Sequence, residues 1–279
     1  MKQETRPSEN TPAVGNDAAL REELGALAER LFSSPQKQAA LISRVLEMYA
    51  RAQGRDFLVV HSPGGWGNTP FDGLLEWERS IVNGLVLALQ KLGYSTAMAQ
   101  YFRSGKSHFG HMPDVGRDIR FFNWNVSPRA DLMAEVIGFL AEHLPQTRII
   151  LVGASQGAAF NNGVMQRVGD QGRVYSIELG TFFPYLRHRT ITPRTLALDN
   201  NGLMRDPMVD RDLWVGFKSY VRGFRIWIRL RFQGKPAKYT HLTNTPGHEY
   251  HWSYPNVGPT ITTFLTERFG QKTNAEKKR

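Results

Sequence analysis

Two hydrophobic rhythms divide the chain. Leu20, Leu24, Leu27 and Leu31, then Leu41, Val45 and Met48, recur at helical spacing and are interrupted at Ser33-Ser34-Pro35. That pattern predicts two helices between Ala18 and Met48. From Asp56 onward the apolar residues fall in short runs instead. Phe57 to Val60, Tyr94 to Tyr101, Arg148 to Val152, Arg173 to Leu179, Arg194 to Leu198 and Tyr239 to Thr243 read as strands. Between them lie helical stretches: Glu76 to Leu92 with a Gly93 stop, Pro128 to His143 followed by Pro145, Ala158 to Val168, and Thr260 to Phe269. Strands alternating with helices predict an α/β fold built on a parallel, doubly wound sheet, with ligand chemistry at the C-terminal strand edges.

The organisation expected is a disordered lead-in at residues 1–17, a helical extension at 18–54, one α/β domain at 55–270 and a basic tail at 271–279. Residues 1–17 are polar and lack the apolar stretch of a secretory signal. No apolar run reaches the roughly 18 residues of a membrane span, and with no targeting segment the expected compartment is the cytoplasm. Cysteine is absent from the 279 residues, which excludes disulfides, thiolate metal sites and a cysteine nucleophile.

The net charge of +10 is concentrated. No acid occurs between Asp212 and Glu249, where Lys218, Arg222, Arg225, Arg229, Arg231, Lys235 and Lys238 all fall. With Trp214, Phe217, Val221, Phe224 and Ile228 on another side, this stretch reads as an amphipathic helix for an anionic membrane surface, with Arg222, Arg225, Arg229 and Arg231 as its contacts. A second reading has Gly223 ending a helix and Ile226, Ile228, Leu230 and Phe232 alternating along a strand. A third is an apolar face packed on the sheet with solvated arginines. No nucleic-acid-binding motif accompanies the patch.

The chemistry centres on Gly153-Ala154-Ser155-Gln156-Gly157, a G-x-S-x-G that follows an apolar strand and opens a helix. A sharp turn there presents the serine hydroxyl at a helix N-terminus, and the glycines let strand and helix approach. Upstream, strand Phe57 to Val60 runs into His61-Ser62-Pro63-Gly64-Gly65-Trp66-Gly67, a loop whose backbone must come close to something.

On these residues the chain resembles the α/β-hydrolase family over roughly Asp56 to Phe269, and its S-Q-G elbow is similar to that of cutinase-like and carboxylesterase-like members. The resemblance implies a serine esterase or lipase-like enzyme without a cofactor, acting on a small-molecule ester through a Ser-His-Asp triad in the order nucleophile, acid, base. Asn200-Asn201-Gly202-Leu203-Met204-Arg205-Asp206-Pro207-Met208-Val209 is similar to the family's acid loop with one residue inserted, which points to Asp206. Asp199, Asp210 and Asp212 lie nearby. Thr245-Pro246-Gly247-His248-Glu249-Tyr250-His251-Trp252 carries the base, His248 with His251 as the alternative. The oxyanion donors implied are the Gln156 N–H and a glycine N–H from Gly64 or Gly65, because Pro63 has none.

Trp66, Phe71, Phe182, Phe183, Tyr185 and Trp252 would line an apolar acyl pocket if their loops converge on Ser155. His108-x-x-His111-x-x-Asp114 has a metal-like spacing, but Gly110 and Pro113 oppose the helix that spacing needs, so no metal is expected. A thioesterase or acyltransferase would use the same triad. A protein that kept the fold without the chemistry would bind membrane or nucleic acid through its basic stretch.

Overall fold

A computed structural model describes residues 14–65, 67–103, 116, 120–211 and 245–273, together with 214, 218, 221, 225, 228, 229, 232 and 233. The chain divides into two compact units, residues 1–50 and 51–279. In the first, α1 (Val14–Leu31) ends before Pro35, which opens α2 (Pro35–Ala52). Helix α1 begins at Val14, inside the stretch that the sequence marks as a disordered lead-in.

Among the described residues, the second unit holds five parallel strands: β1 (Phe57–Ser62), β2 (Thr96–Gln100), β3 (Arg148–Ala154), β4 (Val174–Leu179) and β5 (Thr195–Leu198), in the order β2-β1-β3-β4-β5. Strand β1 is buried along its whole length and β3 is buried from Ile149 onward, because both sheet faces are covered there. The edge strands β2 and β5 are only half-buried. The strand predicted at Tyr239 to Thr243 lies outside the described residues.

One face carries Phe57, Val59, Ile150, Val152, Ile177 and Leu179, packed with α3 (Glu76–Lys91) and α6 (Gly258–Phe269). Phe57 anchors it, with edge-on contacts to Tyr94 at 5.1 Å and Phe269 at 4.8 Å. Each such pair contributes about 0.5–1.5 kcal/mol beyond the area buried. The other face receives α4 (Pro128–His143) and α5 (Gln156–Val168). Helix α4 starts at Pro128, as the sequence predicts, and Ser127 caps it by accepting the Ala130 N–H at 3.2 Å. Gly270, at φ 66°, closes α6.

Strand order reverses between β1 and β3, so the crevice at their C-terminal ends is the switch point of the sheet. Ser62 and Gly153 are register partners there, which brings the glycine loop and the G-x-S-x-G turn side by side.

In the basic stretch, residues 225, 228, 229 and 232 are helical, as are 214, 218 and 221. The helical reading therefore replaces the strand starting at Gly223. Trp214, Lys218, Arg225, Arg229 and Phe232 are exposed, whereas Val221 and Ile228 are half-buried. Arg222 and Arg231 lie outside the described residues. No described helix is long and apolar enough to cross a membrane.

Between α5 and the sheet runs a buried polar layer. Ser62 donates to Asn161 at 2.7 Å; Asn162 donates to both oxygens of Glu178 at 3.1 and 3.0 Å, and Ser176 donates to it at 2.9 Å. Glu178 is fully buried on β4. Burial pushes its carboxyl from 4.5 up to about 8, against the hydrogen bonds of Ser176 and Asn162 and the charge of Arg189. Below pH 4.5 both folded and unfolded chains carry the proton; between 4.5 and about 8 only the folded chain keeps it, so stability falls as pH rises through that window. Glu178→Gln is expected to remove this slope. Urea midpoints at pH 5 and pH 8 should differ less in the variant than in the parent, and equal differences would show that Glu178 is not the titrating group.

Candidate active site

Ser155 occupies the turn between β3 and α5 with φ 55° and ψ −119°, a conformation that costs a non-glycine residue on the order of 1–3 kcal/mol. The surroundings hold it there. The Ser155 N–H donates to the Leu179 carbonyl at 2.8 Å and its carbonyl accepts the Ala159 N–H at 3.1 Å. The flanking glycines are required by contact rather than by dihedral angle. A Cβ at Gly157 would lie 2.3 Å from the Ser62 carbonyl oxygen, and one at Gly153 would lie 2.7 Å from the Gly157 carbonyl carbon. Ser155 therefore stands half-buried at the N-terminus of α5, where partial positive charge accumulates.

Asp206 and His248 meet. His248 Nδ1 lies 2.7 Å from Asp206 Oδ2; Tyr250 Oη donates to the same oxygen at 2.7 Å, and the Met208 N–H donates to Oδ1 at 2.8 Å. Both Asp206 and His248 are buried. A carboxylate acceptor at Nδ1 makes that nitrogen the protonated one and leaves Nε2 as the acceptor. His248 Nε2 is buried and has no hydrogen-bond partner among the described residues, so it makes no bond to Ser155 in this conformation.

The serine and the Asp206–His248 pair are linked through the end of β4. Leu179 accepts the Ser155 N–H, and the next residue, Gly180 at φ 53°, lies against Asp206: a Cβ there would sit 2.6 Å from Oδ2 and 2.7 Å from the Tyr250 ring. Gly247, at φ 89°, lets the histidine loop cross the acid loop, with a would-be Cβ 2.4 Å from the Arg205 carbonyl oxygen.

The neighbouring candidates are engaged elsewhere. Asp199 forms a paired bond with Arg189 at 2.7 and 2.6 Å, and Asp210 is exposed. His251 bonds Ser253 at 2.7 Å and Glu76 at 3.1 Å rather than Asp206. Asp212 and the His108, His111, Asp114 group lie outside the described residues. No cluster of metal-binding side chains occurs among the described residues.

The glycine loop narrows the choice of donor. The Gly64 N–H donates to Glu78 Oε1 at 2.8 Å, which removes Gly64 as an oxyanion donor in this conformation. The Gly64 carbonyl accepts the Gly67 N–H at 3.1 Å, and a trans peptide then turns the Gly65 N–H the opposite way. Gly65 has φ 53°, and its N–H has no partner among the described residues. Buried Arg103 donates to the Pro63 carbonyl at 3.0 Å and also to the Gly65 carbonyl. The Gln156 N–H belongs to the first turn of α5, where no carbonyl of the helix itself can accept it.

Among the described residues, the aromatic side chains expected to line a pocket divide between separate clusters, Phe71 and Trp252 in one and Phe182 and Tyr185 in another. Tyr185 is fully buried, stacked on Phe121 at 4.7 Å, and Trp252 fills the space left by Gly84 on α3, where a Cβ would lie 2.0 Å from its ring. Phe71 packs on the α3 side of the core, and Trp66 lies outside the described residues. Phe183 stays near the acid loop, its N–H donating to the Met208 carbonyl at 3.0 Å.

Sequence reasoning misses Tyr250, Glu78 and Arg103. Tyr250 stands two residues after His248, yet an interior tyrosine looks the same in sequence whatever its hydroxyl touches. Burial, then the charge and hydrogen bond of Asp206, hold its phenol well above the ordinary tyrosine range, so it remains a donor throughout the working pH range.

No protein-family model and no curated protein matches the chain. Among solved structures it is similar to a Trichoderma reesei cutinase in complex with a C11Y4 phosphonate inhibitor, at 14% identity and TM-score 0.42, covering 90% of this chain and 98% of that one. It is also similar to a cutinase-like protein from Cryptococcus sp., at 12% identity and TM-score 0.39, covering 78% and 97%. The parallel sheet and its flanking helices make a doubly wound α/β fold, with the strained serine turn joining β3 to α5 at its switch point.

Gly157→Ala is expected to destabilise the protein by at least about 2 kcal/mol, since carbonyl and helix must separate to admit the methyl group. Gly138→Ala in α4, whose Cβ meets only Gln171 at 3.7 Å, should stabilise by up to about 1 kcal/mol. Urea denaturation of both variants checks the pair, and equal effects would mean that the close approach at Gly157 is not limiting.

Proposed function

We propose that this protein is a serine hydrolase that cleaves carboxylic esters through an acyl-enzyme, with Ser155 as nucleophile, His248 as base and Asp206 as its orienting acid. The observation that carries the reading is the buried, unpartnered His248 Nε2, whose other ring nitrogen is fixed by Asp206, together with a serine held in a strained turn that β4 links to the acid loop.

In the reaction Ser155 Oγ attacks the ester carbonyl while its proton passes to His248 Nε2. The imidazolium that forms is stabilised by Asp206. The carbonyl π electrons move onto oxygen, and the oxyanion is received by the N–H groups of Gln156 and Gly65. Collapse expels the alkoxide, which takes the proton from His248 and leaves as alcohol. Water then enters, gives a proton to His248 and attacks the acyl carbon; the second collapse returns Ser155 and frees the acid. Exposed Leu203 and Met204, just ahead of Asp206, support an apolar acyl or alcohol group. A thioester or an acceptor other than water would use the same groups, and substrate competition separates these cases.

Labelling with a fluorophosphonate checks the assignment. The parent should label, Ser155→Ala should not, and His248→Ala and Asp206→Asn should label at least about 100-fold more slowly. A folded parent that stays unlabelled would leave a binding protein with a hydrolase fold as the reading. Exposed Trp214, Phe232, Lys218, Arg225 and Arg229 on the basic helical stretch further support contact with an anionic membrane surface. Arg225→Glu with Arg229→Glu should weaken flotation with phosphatidylglycerol vesicles while turnover of a soluble ester stays unchanged. Flotation equal to the parent's would remove the membrane reading.

A further inference from the structure

We infer that Glu78 is a positioning residue for the oxyanion hole: through a fixed relay with His61 and Gln100 it holds the glycine loop so that Gly65 presents its N–H to the reacting carbonyl. This rests on the ester-hydrolase reading above and extends it to residues outside the proposed triad.

Glu78 lies in the first turn of α3, is buried, and points its Oε1 at two donors. Gly64 N–H reaches it at 2.8 Å and His61 Nε2 at 3.1 Å. His61, at the end of β1, is 1% exposed. The proton positions follow from the chain of partners. Phe71 N–H donates to Gln100 Oε1 at 2.8 Å, so the Gln100 amide nitrogen faces His61 and donates to Nδ1 at 3.2 Å. Nδ1 is thereby the acceptor and Nε2 carries the hydrogen donated to Glu78. Each of these hydrogen bonds has a defined donor and acceptor, from the backbone of residue 71 to the backbone of residue 64.

The loop needs that restraint. Pro63 has no N–H, Gly64 and Gly65 are intrinsically mobile, and Gly65 sits at φ 53°. Arg103 holds the carbonyls of Pro63 and Gly65, and Glu78 holds the amide between them. With both sides of the loop clamped, the Gly65 N–H is the donor left over among the described residues of the loop. Without Glu78, the Gly64 N–H would lose its buried acceptor and be free to turn toward the substrate or toward water, and the preorganisation that makes an oxyanion donor effective would be lost.

Three variants, with para-nitrophenyl butyrate as substrate, test this. Glu78→Leu, which cannot accept either hydrogen bond, should lower kcat about 100-fold with KM within about twofold of the parent. The inhibition constant of an alkyl trifluoromethyl ketone, which forms a serine-bound oxyanion, should rise by about the same factor. Glu78→Gln keeps a carbonyl acceptor in the same place and should stay within about fivefold of the parent in kcat. Gln100→Leu removes the far end of the relay and should lower kcat roughly 5- to 10-fold at constant KM; it decides the matter if Glu78→Leu does not fold. Parental kcat in Glu78→Leu, or in Gln100→Leu when it stands alone, overturns the inference. So does a loss of kcat that leaves the ketone's inhibition constant unmoved. If the parent itself neither turns over the ester nor labels at Ser155, the ester-hydrolase reading fails first and the positioning role falls with it.

Discussion

The close approach of β1, β3 and the first turn of α5 is the constraint on which the site depends. With the Gly157 Cα set against the Ser62 carbonyl and Gly153 set against Gly157, there is no room for a side chain at either position. Helix and strand can come this near only through the strained turn at Ser155. The strain is offset by ordinary interactions around it: the sheet bond to Leu179, the helix bond to Ala159, and the apolar cores on both sheet faces. The turn is also at the switch point of the sheet, where the loops after β1 and β3 diverge and leave a crevice.

Around that turn the protein uses buried polar groups as fixtures. Asp206 takes hydrogen bonds from His248, Tyr250 and Met208, so both of its oxygens are occupied and the histidine has one orientation. Glu78 does the same for the loop after β1 through His61 and Gly64. Glu178, beneath α5, is held by Asn162 and Ser176 and is kept near neutrality by burial. Such groups are costly to desolvate, and each is matched to donors that satisfy it. The outcome is a set of side chains with little freedom to wander, which the proposed chemistry needs more than it needs extra stability.

Much of the fold is legible in the amino-acid sequence. Phe57 to Val60 and Arg148 to Val152 are legible because central parallel strands, buried on both faces, are continuous apolar runs, and Arg173 to Leu179 and Arg194 to Leu198 are legible from shorter apolar stretches between turn residues. Pro128 and Pro145 bound α4 for steric reasons that do not depend on context. Where local signals compete, sequence reasoning goes astray. Ile226, Ile228, Leu230 and Phe232 alternate like a strand, yet 225, 228, 229 and 232 are helical. Tyr185 and Trp252 look like pocket walls in sequence because aromatic residues line both cores and pockets, and only packing tells the two apart.

What the sequence determined by itself was the kind of residue available at each turn: a serine between two glycines, a Gly-His pair, an acid loop, and a proline that deletes one N–H from the loop after β1. Those features act over a few residues through sterics and backbone hydrogen bonding. The tertiary structure decided the partnerships. His248 rather than His251 reaches Asp206, Gly64 is bound to Glu78 while Gly65 is not, and Tyr250 shares the carboxylate. Each of these joins separate loops or elements, in most cases far apart in the chain, at distances where an ångström separates a hydrogen bond from none. No local pattern carries that information, because it arises only when the sheet brings its loops to one edge.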